Sequence, residues 1–407
     1  MIKPSYLWTQ WLHVSFVVTL LGTAFSAAPF EAQVVTASAP EVFGKVYHCK
    51  PGPWGNLDYY YIYLEAPERL VENFPMPNTI TKWSFPGATA ADLKSLFSQA
   101  GLTEPLQDYL LDSKHIVKEE GALTVFPPLP DLLAMTPGQR TVIYKELAKS
   151  ELNEFQNNPV FITSGSVEQW LGQSRLSGEL IEIISKFTYM RGNVLVFSDL
   201  SAVLNYVQSD AEARDFFKTM TRTRSLMVRI KLDKSSNIEA ITNYWTGQNR
   251  NKDIEPMLTS AVESEGIEDI DVIHLLPSLP RRFVFGYPPK ELAILGRMPD
   301  CHWTSLNFFN FKPKDYFLDT RLATAHVLEK YAKVDPPYHF GDVLMFLTPK
   351  GDAIHSCNYI ADDIVYTKNG ENMIAPWVLM KISDVLRIYS NESQSTIQGF
   401  RLKEASK

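Results

Sequence analysis

GDVLMFLTPKGDAIHSCNYIADDIVYTKNG, residues 341–370, reads as three successive antiparallel strands and sets the fold of the C-terminal part of the chain. GDVLMFL forms the first strand, PKGD turns the chain, AIHSCNYI runs back, ADD makes the second turn, and IVYTK is the third strand. Side chains alternate along a strand, so His355, Cys357 and Tyr359 share one face of the middle strand, while Ile354, Ser356, Asn358 and Ile360 share the other. A polar imidazole beside apolar alternates needs a reason.

Upstream lies MPDCHWTSLNFFNF, residues 298–311. Asp300 is a good N-cap residue, so Cys301 begins a helix CHWTSLNFFNF whose Leu306 and Phe309, with Trp303, can face a core. A thiol in the first turn of a helix feels unsatisfied N–H groups and the positive end of the dipole, both of which favour thiolate, while the charge of Asp300 opposes it. The helix contribution is under about 2 kcal/mol, so a histidine partner is required to activate the thiol. Of the eight histidines, His302 is too close in sequence to share the thiol's face. His326, in the helical stretch LDTRLATAHVLEKY, reads as a partly exposed helix residue, and His48, His115, His274 and His339 have no supporting context. The His48–Cys49 pair lacks the further ligands a zinc site requires, and neither metal nor cofactor is expected. His355 is the partner that the strand pattern leaves.

A Cys after Asp at the head of a helix, a later helix, a GDV strand, a His opening the next strand and a turn into a third strand together resemble the NlpC-like papain-fold cysteine peptidases. That family's usual signature is D-C-S-G, then G-D-L-V-F-F, then H-V-G-I-Y-I-G-D-G before a polar third residue. The corresponding stretches here are DCHW, GDVLMFL and HSCNYIADD, in the unpermuted order, over about residues 290–390. His302 and Trp303 replace the small residues after the nucleophile. The resemblance implies a papain-like domain in which His355 deprotonates Cys301, Cys301 attacks a carbonyl, and N–H groups at the helix start hold the oxyanion. The family's third residue lies about twelve positions beyond His, at Thr367. Asn369, on the same strand face, has an amide oxygen better suited to orienting an imidazole. Cys357 either packs under the site or pairs with Cys301 in a disulfide that would silence it.

Nearer the N-terminus, LDYYYIYLE at 57–65 and NTITKWSF at 78–85 are expected strands, and ATAADLKSLFSQAG at 88–101 an expected helix stopped by Gly101. FPPLPDLLAMTPGQR at 126–140 is either a boundary or a rigid loop. Thr136 caps a helix with Pro137 at its first position, running towards Phe155. Alternating apolar runs and helical patterns across 155–285 suggest an α/β or α+β domain. Val378, Leu379, Ile382, Val385, Leu386 and Tyr389 in APWVLMKISDVLRIYS, 375–390, form a helical apolar stripe. The organisation expected is α+β overall: a signal peptide at 1–28, an N-terminal α+β region at 29–154, a mixed α/β domain at 155–289 and the NlpC-like domain at 290–407.

The leader expectation rests on a segment whose only charge before Glu31 is Lys3, apolar from Trp11 to Ala24 and followed by the small residues Ser26, Ala27 and Ala28. The alternative is a retained anchor. With the leader removed, the chain is expected to be exported, with no stable membrane span. The formal net charge of −7 becomes −8 once Lys3 is lost, and the basic residues are scattered, which argues against nucleic acid as a partner. Three cysteines are too few for a disulfide framework. The function expected is an exported cysteine hydrolase acting on a peptide or other acyl substrate, with cell-wall peptide implied by the resemblance. The alternative is a non-catalytic secreted binding or scaffold protein that keeps the papain-like shape.

Overall fold

The computed structural model describes residues 44–403 except 73–76, 120, 248 and 390–394. The leader and nearly all of the segment expected to link it to the first strand lie outside these residues. The fold is α+β. Every named strand pairs antiparallel with its neighbours, and the single parallel bridge among the described residues joins Val284 to Trp377. Among the described residues no helix is long and apolar enough to cross a membrane.

The chain divides at 64/65 and 222/223 into two compact units. One is 65–222, inserted in sequence between two strands of the other. Asn56–Leu64 and Thr223–Lys231 pair along their whole length, from Asn56 opposite Lys231 to Leu64 opposite Thr223. The expected boundaries near 154 and 289 therefore fall inside units. The Pro-rich stretch at 126–140 is no boundary either: it carries the Leu129–Ala134 helix and leads into Pro137–Leu147.

The inserted unit has two three-stranded sheets. In one, Ala122–Val125 lies between Trp83–Pro86 and Ile116–Glu119, and in the other, Val194–Phe197 lies between Val160–Ile162 and Thr188–Arg191. Two of its helices start on capping boxes, one of them at Thr136, where the sequence placed a cap. Thr89 and Asp92 form a capping box for Ala90–Gln99, and Thr136 and Gln139 form another for Pro137–Leu147. The core is aromatic, with Trp83 lying 6.0 Å from Tyr144 and Tyr144 edge-on to Tyr189 at 5.1 Å. Within it, Arg140 is wholly buried. Its guanidinium donates to the carbonyls of Met135 and Leu132, lies 4.8 Å from the Phe187 ring and pairs with Asp199 at 3.5 Å, while Tyr144 donates to the other Asp199 oxygen at 2.6 Å.

The second unit holds a four-stranded sheet in the order Tyr47–His48, Asn56–Leu64, Thr223–Lys231, Asp269–Asp271. It also holds a six-stranded sheet in the order Tyr331–Val334, Thr396–Leu402, Val343–Leu347, Ala353–Ala361, Ile364–Lys368, Trp377–Lys381. The two sheets meet where Ser225 Oγ donates to the Leu379 carbonyl at 3.1 Å and accepts from its N–H at 3.2 Å. One apolar cluster runs through both, including Val228, Trp245, Trp303, Phe308, Tyr366 and Trp377.

The GD of the GDV stretch is structural. Asp342 is buried, takes both Nε and a terminal nitrogen of Arg401 at 2.9 and 2.6 Å, and accepts the His339 N–H at 2.7 Å, fastening the last strand to the turn before Val343–Leu347. Gly341 has φ +84°, and a Cβ there would lie 2.2 Å from the Phe309 ring. Gly341→Ala is expected to cost about 1–3 kcal/mol through overpacking and strain, read as a lowered urea midpoint with unchanged slope.

Several elements differ from expectation. The strand expected at 78–85 begins only at Trp83, and the helix from Pro137 ends at Leu147, with a separate turn of helix at Glu154–Asn157. The helix expected over 301–311 stops at Leu306, because the Asn307 side chain turns back to the Trp303 carbonyl and accepts the Lys314 N–H. The stripe at 375–390 is not one helix. Trp377–Lys381 is the edge strand of the six-stranded sheet, and the helix runs from Ile382 to Tyr389.

Candidate functional site

Asp300 caps the Cys301–Leu306 helix as expected, its carboxylate accepting the Trp303 N–H at 2.6 Å. Six residues give the helix only a slight dipole, so the sulfur depends on its side-chain and backbone surroundings. The helix packs on one face of the Ala353–Ala361 strand. Ser356 Oγ donates to the Cys301 carbonyl at 3.3 Å and meets His302 Nδ1 at 2.9 Å, and Asn358 Nδ2 donates to the Ser305 carbonyl at 3.0 Å. The helix thus covers the Ser356 and Asn358 face.

His355 belongs to the opposite face. Its ring stacks on Tyr389 of the Ile382–Tyr389 helix at 4.0 Å and meets the Phe346 ring edge-on at 5.6 Å. Nε2 is 2.8 Å from Thr367 Oγ1, and Nδ1 is buried without a hydrogen-bond partner among the described residues. Thr367, twelve positions on, is the residue that meets the imidazole. Asn369 does not: its amide nitrogen lies 3.1 Å from Met380 Sδ, and its oxygen has no partner among the described residues.

Cys301 heads the helix that covers the Ser356 and Asn358 face. The paired register between Ala353–Ala361 and Ile364–Lys368 ends at Asn358 opposite Tyr366, and beyond that point the N–H of Ser356 turns to the sulfur. No hydrogen bond joins Cys301 to His355 among the described residues. All three cysteines are free, and Cys301 and Cys357 form no disulfide.

Burial dominates the electrostatics. Cys301 is 6% exposed, and desolvation pushes its thiol well above the ordinary range. Asp300 adds to that shift, while the N–H groups of Ser356 and Cys301 and the charge of Lys368 oppose it. Burial, reinforced by His302, holds the His355 imidazole well below its usual value. In this closed arrangement burial favours the neutral form of both sulfur and imidazole.

Sequence reasoning missed three side chains here. Lys368, fully buried, donates to the carbonyls of Gly370 at 2.7 Å and Asn372 at 3.1 Å, and burial pulls its ammonium down to about 7. Glu371 is pushed up to about 7 by burial and then by Asp300. Tyr389 stacks on His355. The signal for Lys368 was present: two positions after Tyr366 in IVYTK, it falls on the same strand face as that core tyrosine.

Comparison with protein families, curated proteins and solved structures finds no match.

Proposed function

We propose that the chain is an exported cysteine hydrolase of the NlpC-like class that cleaves an amide bond, with cell-wall peptide the substrate the resemblance implies. The observation that carries this reading is the orientation of His355. Thr367, at the family's third position, holds Nε2 and leaves Nδ1 unbonded in the buried layer next to Ser356, whose N–H faces the nucleophilic sulfur. A buried nitrogen without a partner is costly and marks a place where a proton is to be received. Opening of the site brings the imidazole to Cys301, whose proton it takes. The thiolate attacks the amide carbonyl, the C–N bond breaks as the imidazolium returns the proton to the leaving amine, and water hydrolyses the resulting thioester to the acid and the free thiol.

A second reading, a non-catalytic binding or scaffold protein, is favoured by one observation: sulfur and imidazole are both closed off and share no hydrogen bond. Thiol labelling separates the two. In a Cys49→Ser background at neutral pH, the hydrolase reading expects iodoacetamide to modify Cys301 at least about tenfold faster than in urea, with the advantage lost in His355→Ala. Modification no faster than in urea would favour the scaffold.

A further inference from the structure

Lys368 is a wholly buried lysine for which, among the described residues, no carboxylate lies within ion-pair distance. A buried ammonium without a counter-charge is expensive, and a methionine would pack the same space at lower cost. Two of its three N–H groups are used on loop carbonyls, leaving one.

The register shows where that group stands. Lys368 lies directly opposite Trp377 on the neighbouring strand, so their side chains share a face. Trp377 Nε1 donates to Thr304 Oγ1 of the cysteine-bearing helix at 3.0 Å, and the Lys368 ammonium lies 5.7 Å from the Trp377 ring. Lys368 is therefore on the face that carries Cys301, whereas His355 is on the other. The charged and titratable groups that act on it are Asp300, Glu371 and Cys301.

We propose that the Lys368 ammonium is the counter-ion of the Cys301 thiolate, formed when the thiol proton passes to His355. This role rests on the cysteine-hydrolase reading, and the family resemblance does not supply it. The missing anion is then the one the reaction makes. While the sulfur is neutral the two carbonyls of the 370–372 segment hold the ammonium in place, and once the thiolate forms the third N–H of Lys368 turns to it.

The test is the pH dependence of Cys301 alkylation by iodoacetamide in Cys49→Ser protein, with the modified peptide mapped. In Lys368→Met the labelling midpoint is expected to rise by about 1–3 pH units, slowing the reaction about 10- to 1000-fold at neutral pH, and Lys368→Arg is expected to restore most of the rate. Lys368→Met labelling at the wild-type midpoint, or Lys368→Arg as slow as Lys368→Met, overturns the proposal. A readout without substitution is carbon NMR of the Lys368 ε-position: capping Cys301 with iodoacetamide is expected to lower the lysine's titration midpoint, and an unmoved midpoint overturns the assignment. If wild-type Cys301 labels no faster than in urea, the hydrolase reading itself falls. If it labels fast and only His355→Ala slows it, that reading stands and the role of Lys368 falls.

Discussion

Arg140→Met is expected to lower the stability of the chain by about 3–5 kcal/mol, the usual cost of removing one partner from a buried ion pair. The methionine stem refills much of the channel, so the loss is electrostatic and not a cavity effect. Asp199 would keep only the Tyr144 hydroxyl, the Met135 carbonyl would lose its guanidinium donor, and the Leu132 carbonyl would keep only the Met135 N–H. The effect has a pH signature. Burial raises Asp199 from 3.8 to about 6, and Arg140 opposes that shift. An acid whose folded value is raised gives stability that is complete below about pH 4 and lost as the pH rises through its folded value. Without Arg140 that value moves higher still, so the deficit of the variant is smallest in acid and grows towards neutral pH. Urea unfolding across pH 4–8, with hydrogen exchange at 137–147 as the local probe, measures it. A deficit that is flat with pH would mean that the pair is not what Arg140 contributes.

Trp377→Ala is expected to cost about 3–5 kcal/mol, the range for deleting a fully buried aromatic side chain. Trp377 stacks on Phe283 at 4.5 Å and bonds Thr304, and its backbone bonds Phe285 and Gly286. The loss should be felt in the cysteine-bearing helix, as faster exchange of the 301–306 amides. Trp377→Phe keeps the stack and gives up one hydrogen bond, so it should lose only about 1 kcal/mol. Equal losses in the two variants would place the stabilisation in the indole N–H.

These two residues also mark how far the sequence could be read. The three strands within 341–370 were legible because turn residues bound short runs in which alternation is a local property. Trp377–Lys381 was not, because a strand buried on both faces loses its alternation, and WVLMK followed by ISDVLRIY reads as one helical stripe. Thr396–Leu402 inserts between two strands that precede it, a placement decided by long-range pairing and the Arg401–Asp342 contact. The break at 64/65 is marked only by Pro67, which ends a strand without showing that the strand's partner, Thr223–Lys231, lies far along the chain.

At the candidate site, Thr367 was found by counting from His355, because twelve residues around a tight turn return the chain to the same neighbourhood. Asn369, preferred on its chemistry, lies with its amide against Met380 and not against the imidazole, a placement that residue type alone does not give. The face carrying the cysteine helix could not be read, because alternation separates His355 from Ser356 without saying which one a helix will cover. Lys368 escaped notice since a lysine at a strand end is ordinarily solvated.

The pairing of Leu64 with Thr223 carries an evolutionary consequence. To the sheet, everything from 65 to 222 is a hairpin loop whose two ends are already neighbours, about 5 Å apart. Lengthening such a loop adds only logarithmically to its closure cost. A lineage could therefore exchange or discard that cargo without re-registering the strands beside Arg224 and Ser225, leaving the layer that carries Cys301 and His355 to evolve on its own schedule.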